Sequence, residues 1–107
     1  MAATKLTPTK MSIEGQISMP APTTVGASGM ELDFSGVDTK ILIMNDETAA
    51  ATIKAGNGVM SGTKDITLAR SKSIVIESGR FKQMSGEHKG TVFIEGATAK
   101  ISAIELP

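Results

Sequence analysis

The chain has no cysteine, no tryptophan and no tyrosine, and three phenylalanines are its whole aromatic complement. Without thiols there is neither a disulfide frame nor a thiolate metal site. So few aromatics remove the platforms on which bases, and commonly sugars, are stacked. An excess of charge is missing too: eleven basic and eleven acidic residues sum to a formal net charge of zero. No Lys/Arg cluster lies beside an aromatic, which argues against a nucleic-acid partner. A neutral surface gives little long-range steering, so a partner must be held by shape, apolar contact and backbone hydrogen bonds. No apolar run approaches the roughly 18 residues of a membrane-spanning helix, and residues 1–10 lack the apolar segment of a secretory signal. The expectation is synthesis in a cytoplasm, with no membrane partner.

What the 107 residues do contain is alternation, on the scale of one domain. Met11, Ile13, Gly15, Ile17 and Met19 share one face and Ser12, Glu14, Gln16 and Ser18 the other, the period of a half-buried strand. Pro20 and Pro22 end it, and residues 20–29 form a loop. Met30, Leu32 and Phe34 alternate with Glu31, Asp33 and Ser35. Residues 40–45, Lys-Ile-Leu-Ile-Met-Asn, are apolar on both sides and read as a central strand. Residues 46–55 admit a short helix capped by Asp46, but Ile53 would be its one large apolar residue. A loop followed by a strand over 51–55 is preferred, with Gly56-Asn57-Gly58 as a turn.

Asp65 to Ala69 alternates again. Lys72 to Glu95 carries two β-rich runs, marked by Ile74/Ile76 and Val92/Ile94, around a polar region with Gly79, Gly86 and Gly90. Phe81 in its middle suggests a short strand or a packed crossing. Residues 100–106 return as the last strand, and their slipped period predicts a bulge or two covered faces. The sum is an all-β fold, a compact β-sandwich or barrel (Ig-like or jelly-roll-like) of eight or nine short strands. Residues 1–9 are polar, interrupted by Pro8, and read as an extended N-terminal arm on a single β domain spanning 10–107.

Chemistry is sparse. His88 is the one histidine and reads as a solvated turn residue, with no nucleophile or ordered acid to make a triad. Glu31/Asp33 and Asp46/Glu47 read as solvated surface charge rather than a glycosidase pair, which also needs a cleft. Asn45-Asp46-Glu47 lacks calcium-loop spacing, and Gly56-Asn57-Gly58 lacks the Lys-Ser/Thr of a phosphate loop. No catalytic residue, metal ligand or cofactor is expected, and the chain does not read as an enzyme. Met11, Met19, Met30 and Met44 read as core, whereas Met60 and Met84 fall near turns and could form an adaptable contact surface.

Several stretches carry a resemblance: residues 41–45 (ILIMN), 51–58 (ATIKAGNG), 73–82 (SIVIESGRFK), 89–94 (KGTVFI) and 103–107 (AIELP). They resemble small structural proteins of tailed bacteriophages that decorate the head. The resemblance covers about two thirds of the chain, from residue 40 onward, and rests on fold-type motifs. It implies a capsid cement protein on the exterior of the virion, bound to the major capsid protein at subunit junctions. It also implies a homo-oligomer, a trimer before a dimer. The arm then becomes the expected capsid-binding part, through Ala2, Ala3, Thr4, Lys5, Leu6 and Thr7, adding backbone hydrogen bonds to a capsid sheet edge. The rival expectations are an Ig-like tail or baseplate module that binds host-surface carbohydrate, and a small hydrolase built on His88.

Overall fold

Strands whose side chains alternate between apolar and polar have one face to bury, and two such sheets closed on each other bury both. A computed structural model describes residues 3–10, 21–33, 40–56 and 64–106. In chain order these hold β1 (Thr4–Leu6), β2 (Thr9–Lys10), β3 (Thr23–Thr24), β4 (Met30–Leu32), β5 (Lys40–Asn45), β6 (Ala51–Ile53), β7 (Ile66–Leu68), β8 (Ser73–Glu77), the single turn α1 (Ser78–Phe81), β9 (Val92–Glu95) and β10 (Lys100–Glu105). The first sheet runs β1-β4-β9-β6-β7; the second runs β2-β10-β5-β8, with β3 also paired to β10. The fold is an all-β sandwich. Both sheets are mixed, because β1–β4 and β2–β10 are parallel and the other pairs antiparallel.

The core follows the alternation. Met30, Leu32, Ala51, Ile53, Leu68, Val92 and Ile94 come from the first sheet, and Ile41, Ile43, Ile76, Ile101 and Ala103 from the second; all are buried. β5 is central as expected, lying between β10 and β8, though Leu42 and Met44 on its outer face are only half-buried. The slipped period of the last strand resolves as two covered faces: Ile101, Ser102, Ala103 and Ile104 are all buried in one continuous strand.

The segment Lys72–Glu95 crosses from one sheet to the other, β8 in the second and β9 in the first. Its middle is a helical turn rather than a short strand, and that turn drops Phe81 into the core. Residues 46–50 form no helix. Asp46 Oδ1 accepts the Thr48 N–H at 2.9 Å in a local turn, and β6 follows at Ala51. The expected strand over 11–19, Phe34, residues 57–58 of the proposed turn, and Met60 lie outside the described residues.

Residues 1–9, expected as an extended N-terminal arm, pair with both sheets over their described part. Thr4–Leu6 pairs in parallel with Met30–Leu32, and Thr9–Lys10 pairs in parallel with Ile104–Glu105. Residues 4–10 therefore strap the two sheets together, with Pro8 buried where the chain steps across. The reason is local. Pro8 breaks one extended run into two, and Leu6 packs against the core cluster.

Among the described residues Asn45 is one of two buried polar residues, with Ser102. Its Nδ2 donates to Ala49 O at 2.8 Å and to Leu68 O at 3.0 Å, which ties the end of β5 to β7 across the sandwich. Asn45→Ala would strand both carbonyls, so the variant should lose about 1–3 kcal/mol in urea unfolding. Retention of full stability would show that this tie is dispensable.

Candidate functional site

The outer face of the first sheet is where sequence and structure part company. In β4 and β9 the inward residues Met30, Leu32, Val92 and Ile94 oblige Glu31 and Phe93 to point outward, directly opposite each other. Over them folds the loop between Lys82 and Val92, which form a bridge pair. Gly90 N–H donates to Gln83 O at 2.8 Å, Gln83 N–H to Thr91 O at 2.8 Å, and Gln83 Nε2 anchors the loop to Ala55 O at 2.8 Å. Gly86 and Gly90 take φ of 90° and 88°, a region that side-chain-bearing residues rarely occupy.

This loop delivers His88. Its ring stacks on Phe93, with centroids 3.7 Å apart and planes 14° from parallel. Its Nδ1 lies 2.7 Å from Glu31 Oε2. A carboxylate oxygen can only accept, so Nδ1 carries the proton and donates. The His88 and Glu31 side chains are 21% and 13% exposed. Neither is the solvated surface group that the sequence suggests, because burial against Phe93 and the mutual hydrogen bond replace water. Nε2 remains on the solvent side, 3.5 Å from the exposed Glu87 carboxylate. Through the ring stack and the hydrogen bond to Glu31, the trio fixes a loop on a sheet.

Beside it, residues 26–29 and Gly96 and Ala97 line an open groove of about 300 Å³ with Phe93 and Glu95. Gly29, at φ 82°, is where the close approach requires glycine: a Cβ there would run into the Phe93 ring. On the far side of Phe93, Lys54 Nζ sits 2.7 Å from Asp65 Oδ2 and 4.0 Å from Glu95 Oε1. The hydrogen bond to Asp65 and its charge, then the charge of Glu95, hold the Lys54 ammonium above its ordinary range. Asp65 is held below its ordinary range, first by the Ala55 N–H at 2.7 Å and then by Lys54.

The residues expected to bind a capsid border this face. Thr4 and Leu6 are half-buried; Lys5 and Thr7 are exposed; Ala3 precedes β1, and Ala2 lies outside the described residues. Thr4 N–H donates to Gly29 O at 2.9 Å, and Leu6 O accepts from Asp33 N–H at 2.8 Å. Peptide groups alternate sides along a strand, so those of Lys5 point away from β4. No strand among the described residues pairs with that edge. Comparison with known proteins adds no identity: no family model matches the chain, and no curated protein or solved structure is similar to it.

The alternation of 92–95 signals an outward Phe93, but only strand pairing reveals its neighbours Glu31 and His88. Met84, expected near a turn as contact surface, is 54% exposed.

Two outcomes follow. His88→Ala removes a ring stack and a hydrogen bond to a charged partner, and should cost about 1–3 kcal/mol in denaturant unfolding. A loss near zero would mean the loop is held without it. Asp65 has a lower pKa folded than unfolded, so its contribution to stability is full above the unfolded value and fades as pH falls through the folded one. Asp65→Asn should therefore lower Tm at neutral pH, and the gap from the parent should close in strongly acid solution. A gap that is constant with pH would contradict this linkage.

Proposed function

We propose that the protein is a capsid decoration protein, binding the exterior of a bacteriophage head at junctions of major capsid subunits and stabilising the shell. The likeness of residues 40 onward to head-decorating proteins supports this reading, as does the small all-β body with a neutral surface. The observation that carries it is the edge of β1 away from β4, which no strand among the described residues pairs with. Lys5 presents an N–H and a carbonyl along that edge, the means by which a strand of another protein is added to a sheet. Bound at a junction, the sandwich bridges several capsid subunits, and pressure from packaged DNA must then break added interfaces to separate them. Thr7 ends the usable edge, because at Pro8 the chain turns inward toward the second sheet.

The rival reading, a carbohydrate-binding tail module, asks for an open aromatic platform. One face of Phe93 is already covered by His88.

Mixing the purified protein with undecorated phage heads and pelleting tests the proposal: the protein should co-sediment. Lys5→Pro removes the outward N–H without touching the ladder to β4, so it should abolish or greatly weaken pelleting while thermal stability stays within about 1 kcal/mol. This is a cleaner variant than deletion of residues 1–9, which would also remove β1. Absence of co-sedimentation, with retention on a glycan array, would transfer the reading to the carbohydrate module.

A further inference from the structure

The second sheet ends in an edge of different character. β8 pairs with β5 through its other side, in a register where Val75 lies opposite Leu42 and Ile74 opposite Ile43. Asn45 N–H donates to Lys72 O at 2.9 Å, which identifies Asn45/Lys72 as a hydrogen-bonded pair of that antiparallel ladder. By alternation Ile43/Ile74 and Ile41/Ile76 are hydrogen-bonded pairs too. The peptide groups of Ser73 and Val75 and the Glu77 N–H therefore point away from β5. No backbone partner meets them there among the described residues.

We infer that Ser73–Glu77 pairs antiparallel with the same strand of a second copy of this chain, about a two-fold axis at Val75. The occupant is a second copy because the strand complements itself: its exposed apolar centre, Val75, meets its like, and its acidic end, Glu77, meets the neutral Ser73. An axis normal to the sheet keeps inward faces with inward faces, so only registers centred on a residue are allowed. Centred on Val75, the outward-pointing peptide groups of the two Val75 residues bond reciprocally. Each Glu77 N–H meets the Ser73 carbonyl of the other copy. The Glu77 carbonyl is used by the first turn of α1, which ends the ladder there.

Side chains agree with this register. Val75, 51% exposed, lies on the outer face beside half-buried Leu42 and Met44. Pairing would run that apolar strip through the axis, Leu42–Val75–Val75–Leu42. Each Glu77, opposite its own Lys40, would face the neutral Ser73 of the other copy, so no like charges meet. Inside the sandwich, Ile74 would lie opposite Ile76. The two second sheets become one continuous sheet, and an exposed edge that invites indiscriminate pairing is closed.

A ladder of this length is small beside a standard interface of about 1,600 Å². The dimer therefore forms at high protein concentration and dissociates on dilution. It is independent of the capsid reading, since the proposed capsid edge belongs to the other sheet.

The chain has no cysteine, which makes a single introduced thiol a clean reporter. In a hydrogen-bonded antiparallel pair the Cα atoms lie about 5.5 Å apart, within disulfide reach. At high concentration Val75→Cys should oxidise to a covalent dimer about tenfold faster than Glu87→Cys, a thiol at a more exposed site outside the ladder. Sedimentation velocity of the unaltered protein should show a concentration-dependent monomer–dimer equilibrium. Val75→Lys should weaken it about tenfold or more, by setting two ammonium groups across the axis. Circular dichroism matching the parent shows that each variant folds. A monomer at every concentration, a trimer, or equal oxidation of the two thiols would overturn the inference. Co-sedimentation of Val75→Lys with phage heads would leave the capsid reading standing while this one is judged separately.

Discussion

Much of the sandwich hangs on β10. Ile101 to Ile104 are buried on both faces, and the strand is engaged at both edges, by β5 on one side and by β2 and β3 on the other. A strand covered on both faces must satisfy its peptide groups within the protein, because little water reaches them. Its partners follow from that requirement. The β10–β5 ladder fixes which residues of β5 face inward. β8 takes its register from β5, and β2 draws the N-terminal segment across the end of the sandwich. Asn45, opposite Ile101, then carries the link onward to β7 through its side-chain amide.

The first sheet solves a different problem. Its inward residues close the core, and its outer face must then place Phe93, a large aromatic, on the solvent side. The loop ending at Val92 covers one side of that ring with His88, and the Glu31 carboxylate fixes the imidazole in plane. Gly29 leaves room on another side. The only histidine of the chain is thus used as a cover for an aromatic. The proposed contacts use instead backbone edges, β1 in one sheet and β8 in the other, which suits a protein with a neutral surface and few aromatic side chains.

The two edges differ in what guards them. β1 is short, bears an exposed Lys5 and is cut off by Pro8, features that limit pairing to a matched partner. β8 carries an apolar centre between polar ends, the symmetry about Val75 on which the proposed dimer rests.

Period-two patterning by itself determined the all-β class and the inward residues of β4 and β9, because burial on one face of a strand demands alternation. It also marked residues 40–45 as central, and for 100–106 it left a bulge or two covered faces, of which the structure takes the second. Three matters were decided only in three dimensions. Residues 4–10 are strands because β4 and β10 offer edges to them, which a three-residue and a two-residue strand are too short to announce. Phe81 sits on a helical turn because the chain must change sheets there. Glu31 and His88, 57 positions apart, meet only through the pairing of β4 with β9 and the loop that precedes it. Local sequence records which face of a strand avoids water, whereas the neighbour across a ladder is set by register, a property of two segments together.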